Sequence, residues 1–152
     1  MTYEQIAEAL VKWARDLIPA LEDGYSYPPG VTDRLPDVAA VIGTVKDVPG
    51  DPESFPFAGL EQTWLRVFDV EVSIMVEVED GAAGEKAAQR SLESYAETLT
   101  GSTRAGTSLE GEAMISPRTE VDLTEPAEER PDGTRGRAVY LKLAVAKRIE
   151  IG

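Results

Sequence analysis

The chain has 152 residues, 42% of them hydrophobic, which suits one domain with a buried core and argues against disorder. Lys and Arg number 15 against 28 Asp and Glu, a formal charge of −13 that repels duplex DNA and anionic membranes and disfavours ordinary nucleic-acid readout. There is no cysteine and no histidine, which excludes disulfides, zinc-thiolate sites, thiol nucleophiles and histidine-containing triads, and removes the commonest general base and transition-metal ligand.

The opening "MTYEQIAEAL" is polar and acidic where a secretory signal would be basic and then apolar. No run approaches the roughly 18 residues of a membrane span, so a soluble protein that stays where it is made is expected. Thr2 followed by Gln5 fits a capping box. Ile6, Leu10, Trp13 and Leu17 then recur at helical spacing, with Ala14, Ile18 and Leu21 widening the stripe. Pro19 lacks the helical donor, so the first helix is predicted to end near Ile18. "EDGYSYPPGVTDRLP" (22–36) reads as a loop. "DVAAVIGTVKDV" (37–48) follows as a strand, apolar on both faces from Val38 to Ile42 and expected to be buried there. A second long loop, "PGDPESFPFAGLEQ" (49–62), comes next, and loops of this length tend to be functional or disordered. Tyr25 and Tyr27 in the first loop, and Phe55 and Phe57 in the second, have two readings. They fold back on the domain's own core, or they anchor a neighbouring chain.

The next strand is predicted from Trp64 to Glu79. Within it "FDVEVSIMVEVED" (68–80) puts an apolar side chain at every even position from Phe68 to Val78, and places Asp69, Glu71, Glu77 and Glu79 on the other face. Side chains two residues apart on one face lie about 7 Å from each other. The turn "EDGAAG" leads to a second helix, on which Ala88, Leu92, Tyr95 and Leu99 form the apolar stripe and Glu85, Lys86, Gln89, Arg90, Glu93 and Glu97 face solvent. This helix is predicted to stop in the hydroxyl and glycine cluster "TGSTRAGTSLEG", read as a loop. Two strands close the chain: "EAMISPRTEVDL", interrupted by Pro117 and therefore edge-like or bulged, and "RGRAVYLKLAVAKRIEI". "TEPAEERPDGT" joins them as a long hairpin connection with Asp132 and Gly133 as the turn signal.

In the last strand Val139, Leu141, Leu143, Val145, Ile149 and Ile151 share one face and Lys142 and Arg148 the other. Should it lie in one sheet with the acidic strand, cross-strand opposite-charge pairs would contribute roughly 0.2–1 kcal/mol each. Two cations do not neutralise four carboxylates, so that face is expected to stay negative. A solvated sheet face in an acidic protein is the plain alternative. Adjacent acids also hold Mg²⁺ or Ca²⁺ in other proteins, and paired carboxylates divide acid and base roles. Here there is no EF-hand spacing, no G-x-S-x-G, no Walker loop and no dinucleotide fingerprint, and "SLESY" does not match Ser-x-x-Lys. No enzymatic activity, cofactor or metal is expected.

The order of elements predicts a single α+β domain over 1–152: a mostly antiparallel β-sheet packed against two α-helices, with long loops and an extended C-terminal hairpin. Taken together, "YEQIAEALVKWARDLIPAL", "YPPGVTDRLPDVAAVIG", "LRVFDVEVSIMVEVED" and "AVYLKLAVAKRIEI" resemble the tail terminator proteins of long-tailed (siphovirus-type) phages, particularly those of actinobacterial hosts. The resemblance covers nearly the whole chain. It implies a virion structural protein, assembled in the host cytoplasm and resident in the tail-neck region, with no cofactor and no membrane. Its copies would form a hexameric ring that caps the tail tube protein and joins it to the head-tail connector, leaving a channel for passing DNA. In that setting Tyr25, Tyr27, Phe55, Phe57, Glu128, Glu129, Arg135 and Arg137 are candidate contacts between subunits or rings, a mixed-charge surface hairpin being the plain alternative for the last four. Asp69, Glu71, Glu77 and Glu79 would line the lumen or lie on the ring's outer wall, since a passage that lets DNA slide must not bind phosphates. The alternatives are a head-closure (stopper) or other connector protein, and a small ligand-binding or carboxylate-metal enzyme domain.

Overall fold

Thr2 opens the first helix as expected. In the computed structural model its Oγ1 accepts a hydrogen bond from the Gln5 N–H at 3.2 Å, while Gln5 Oε1 accepts from the Thr2 N–H at 2.8 Å. This closed capping box starts α1 (Tyr3–Leu17), which ends where the Ile18 N–H donates to the Ala14 carbonyl, one residue before Pro19. Because the box supplies two otherwise unmet donors with partners, Thr2→Ala is expected to cost about 1 kcal/mol. Urea unfolding measures this, and no change in midpoint would mean the box is not formed in solution. Ile6, Leu10, Trp13 and Ala14 are buried, and Ala7 and Val11 join them. Leu17, expected in the stripe, is instead 40% exposed, while Ile18 and Leu21 just beyond it are buried in the core.

The described residues are 2–21, 24–25, 38–49, 64–79, 81–104, 107–109, 111, 113–116, 120–122, 128–129 and 135–149. The strands among them are β1 (Gly24–Tyr25), β2 (Val38–Pro49), β3 (Trp64–Glu77), β4 (Thr107–Leu109), β5 (Ala113–Ile115), β6 (Glu120–Asp122), β7 (Glu128–Glu129) and β8 (Arg135–Arg148), with α2 (Ala82–Thr103) between β3 and β4. They form one eight-stranded sheet in the order β1-β2-β3-β8-β5-β4, with β6 and β7 also paired to β8. Only β1 and β2 run parallel; the other pairs are antiparallel. The fold is therefore α+β with a mostly antiparallel sheet.

Over 68–74 in β3 and 139–145 in β8 the helix-side face is entirely apolar, and this makes these stretches the centre of the sheet. Phe68, Val70, Val72 and Ile74 of β3, with Val139, Leu141, Leu143 and Val145 of β8, pack against Ile6, Leu10, Leu92 and Leu99 of the helices. Both helices cover the same side of the sheet, in a two-layer arrangement. The opposite face holds one small apolar cluster at one end, where Leu65, Val67 and Ala146 are buried beside Val48 and Ala144.

Several boundaries differ from the sequence expectation. β3 stops at Glu77, so Glu79 lies beyond the strand. β1 occupies part of the expected first loop, and Tyr25 pairs with Ala39. Val41 and Ile42 are half-buried, whereas Val38, Ala39 and Ala40 are buried, Val38 and Ala40 within the core under the helices. The second helix does stop inside the expected cluster, at Thr103, whose hydroxyl donates to the Thr100 carbonyl at 2.9 Å, but β4 takes up 107–109 of the expected loop. The hydroxyls that suggest a loop here satisfy helical carbonyls instead. The strand broken at Pro117 becomes β5 and β6, and the expected hairpin connection contributes β7, with Glu128 opposite Gly136 and Glu129 opposite Arg135.

Two glycines set the entry to α2. Gly81, at the N-cap, has φ = 94°, a region L side chains rarely occupy. Gly84 lies so close to the backbone of Glu79 that any Cβ would overlap its carbonyl.

Candidate functional site

Alternation along β3 turns Phe68, Val70 and Val72 inward, so Asp69, Glu71 and Glu77 share the face away from the helices. Glu71, Glu77 and Glu79 are exposed and Asp69 is half-buried. The structure brings Asp69 and Glu71 together, leaves Ser73 and Met75 between them and Glu77, and places Glu79 past the end of the ladder. Each acid has a different neighbour. Asp69 accepts from Thr44 Oγ1 at 2.6 Å, across a bulge between Ile42 and Thr44. Glu71 stands opposite Lys142 of β8, and Lys142 in turn stands opposite Glu120 of β6. Glu77 stands opposite Gly136. The expected basic partner is thus in place at one position: Lys142 sits between two carboxylates, while Arg148 lies level with Leu65, away from the acids.

At the bulge the face dips into a shallow concavity lined by Gly43, Asp69, Glu71, Glu120, Lys142 and Ala144. Lys142→Glu would set three carboxylates side by side across β3, β8 and β6. The expected loss is about 1 kcal/mol, smaller at high salt. Thermal unfolding at low and high ionic strength reads it, and a salt-independent loss would show that the charges are not its origin.

A second feature was not expected from the sequence. At the start of β3, Arg66 forms a two-point ion pair with Asp47 of β2, at 2.9 Å from Nε to Oδ1 and 3.3 Å from Nη2 to Oδ2. The hydrogen bond from Arg66 holds the Asp47 carboxyl below its usual range, and the same bond holds Arg66 above its own. Next to this pair Tyr3 rests edge-on against Phe68, ring centroids 5.3 Å apart, and remains 54% exposed; Trp64 is 48% exposed. The alternation of β3 puts Trp64 on the same side as Phe68, and it is exposed there.

Tyr27, Phe55 and Phe57 lie outside the described residues. Glu128, Glu129, Arg135 and Arg137 belong to strands and not to a free hairpin loop. Arg137 is on the helix side, where Nη1 donates to Gln89 Oε1 of α2 at 3.3 Å. Its register in β8 fixes that direction, which loop chemistry alone does not suggest. Among the described residues no cluster of three or more carboxylates is arranged to hold a metal ion, and no helix is long and apolar enough to cross a membrane. No family model matches the chain, and no curated protein matches it.

Proposed function

We propose that this chain is a virion structural protein that caps a phage tail tube as a ring and joins the tail to the head-tail connector, leaving a channel for DNA. The observation that carries the reading is the helix-free sheet face bearing Asp69, Glu71 and Glu77 on a chain of net charge −13. Such a face repels the phosphate backbone, and a wall that DNA must slide past has to avoid phosphate contacts, each of which adds salt-dependent affinity. The sequence resemblance to tail terminators supports the same role. It is a structural role with no cofactor, in the tail-neck region, with the tail tube protein and the connector as partners.

Negative-stain electron microscopy of the purified protein mixed with tubes of the tail protein encoded beside it tests the proposal. Rings on one tube end are expected. Bare tubes, with the protein bound to connector particles, would move it to the stopper position. Failure to bind either, together with a rise in melting temperature on adding Mg²⁺ or Ca²⁺, would replace the structural role with a metal-binding one.

A further inference from the structure

Between α1, the end of α2 and β4 the surface opens into a groove of about 380 Å³. Ala9, Trp13 and Leu17 of α1 and Leu109 of β4 give it an apolar lining. Trp13 and Leu109 are buried, whereas Leu17 is 40% exposed and presents apolar surface to water. A chain of polar bonds fixes the groove's shape by fastening α2 and β4 to α1. Trp13 Nε1–H donates to Ser102 Oγ at 3.2 Å, the Ser102 and Thr107 hydroxyls lie 3.3 Å apart, and the Thr107 hydroxyl donates to the Ser102 carbonyl. Lys12 and Asp16, one helical turn apart and opposite in charge, also line the groove. Among the described residues neither has a hydrogen-bond or ion partner, each other included. A lysine N-terminal to its acid is the weaker order for such a pair on a helix.

We propose that this groove binds a free α-amino acid with an aliphatic side chain, its carboxylate on Lys12, its ammonium on Asp16 and its side chain against Trp13 and Leu17. Ligand clefts pair an apolar lining with a few placed polar groups, and this groove is of that kind and of small-molecule size. A simple cation would be repelled by Lys12 and a simple anion by Asp16, while a purely apolar molecule would strip water from both charges and return nothing. A zwitterion answers both at once. Ion pairs this exposed are individually weak, so for a molecule of about nine non-hydrogen atoms the Kd is expected near about 1 mM. The groove lies in the helical layer, on the opposite side of the sheet from Asp69, Glu71 and Glu77. It therefore goes beyond the tube-capping role and does not depend on it.

The chain has two tryptophans, so in the full chain Trp64→Phe leaves Trp13, in the groove itself, as the sole tryptophan reporter. Titrating L-leucine into this variant is expected to change the Trp13 emission saturably. Leucinamide, which lacks the carboxylate and stands for the first residue of a peptide, should bind about two- to fivefold more weakly; so should N-acetyl-leucine, which lacks the ammonium and stands for the last. Glycine, without an apolar side chain, should bind at least about tenfold more weakly. Lys12→Ala should erase the preference for leucine over leucinamide and keep that over N-acetyl-leucine, and Asp16→Ala should do the reverse. Both substitutions are at exposed positions, outside the core. The proposal is overturned by the absence of saturable change up to about 20 mM leucine, by glycine binding as well as leucine, or by preferences that both substitutions leave in place. Leucinamide or N-acetyl-leucine binding as tightly as leucine would also overturn it, in favour of a peptide end. Because no tubes are present, this site and the tube-capping role fail or succeed separately.

Discussion

Phe68→Ala is expected to lower the free energy of unfolding by about 3–5 kcal/mol, a large share of the 5–15 kcal/mol typical of a domain. Phe68 is fully buried at the centre of β3, between β2 and β8 and under α1. Its removal leaves a cavity that neighbouring strands cannot fill by collapsing, and takes away the edge-on partner of Tyr3. Glu71→Ala, three residues along on the exposed face, makes the comparison: it should change stability by no more than about 0.5 kcal/mol. Urea unfolding of the two variants decides the matter. Similar midpoints for both would mean that β3 does not separate a core face from a solvent face.

Gly84→Val should be nearly as damaging, at about 2–3 kcal/mol, by overcrowding and not by loss of contact. A side chain there meets the backbone carbonyl of Glu79, which cannot rotate away as a side chain would. Either the first turn of α2 or the end of β3 has to move. Gly81→Ala separates this cause from backbone preference, because its Cβ would meet nothing within 4 Å and its cost comes from φ = 94° alone. That cost should be about 1–2 kcal/mol. Calorimetric melting temperatures for the two variants are expected to fall in that order. The reverse order would place the constraint in the Gly81 dihedral and not in the packing at Gly84.

What could be read from sequence follows from how local each signal is. The capping box, the Pro19 stop and the alternation of β3 and β8 are short-range patterns, and each appears where its chemistry puts it. The charge on the outer face was also legible, because a period of two assigns faces without knowledge of the partner strand. Pairing was not. That Lys142 answers Glu71 while Arg148 answers Leu65 depends on a register fixed by strands far apart in the chain. The same holds for β1 and β7, two residues each, which exist only because β2 and β8 present open edges to them. Leu65 and Val67 go against the two-face rule, since they are buried on the side where Asp69 and Glu71 meet solvent. The exposed Tyr3 and Trp64 were missed for a related reason: in sequence they look like ordinary apolar positions.

The position of β8 has a consequence for how the chain is made. This strand lies in the middle of the sheet yet follows every other described strand, so β3 waits for its main partner until α2 and β4 through β7 have been synthesised. At roughly 5–20 residues per second that interval lasts seconds, long compared with the microseconds in which a hairpin or helix forms. During it one full edge of β3 has nothing to bond with, on a nascent chain crowded by other copies emerging from the same message. Aspartate and glutamate along that strand would keep such half-made sheets from pairing with each other, as charged residues guard exposed edges in finished proteins. On this view the acids have a task during translation that ends when β8 is in place.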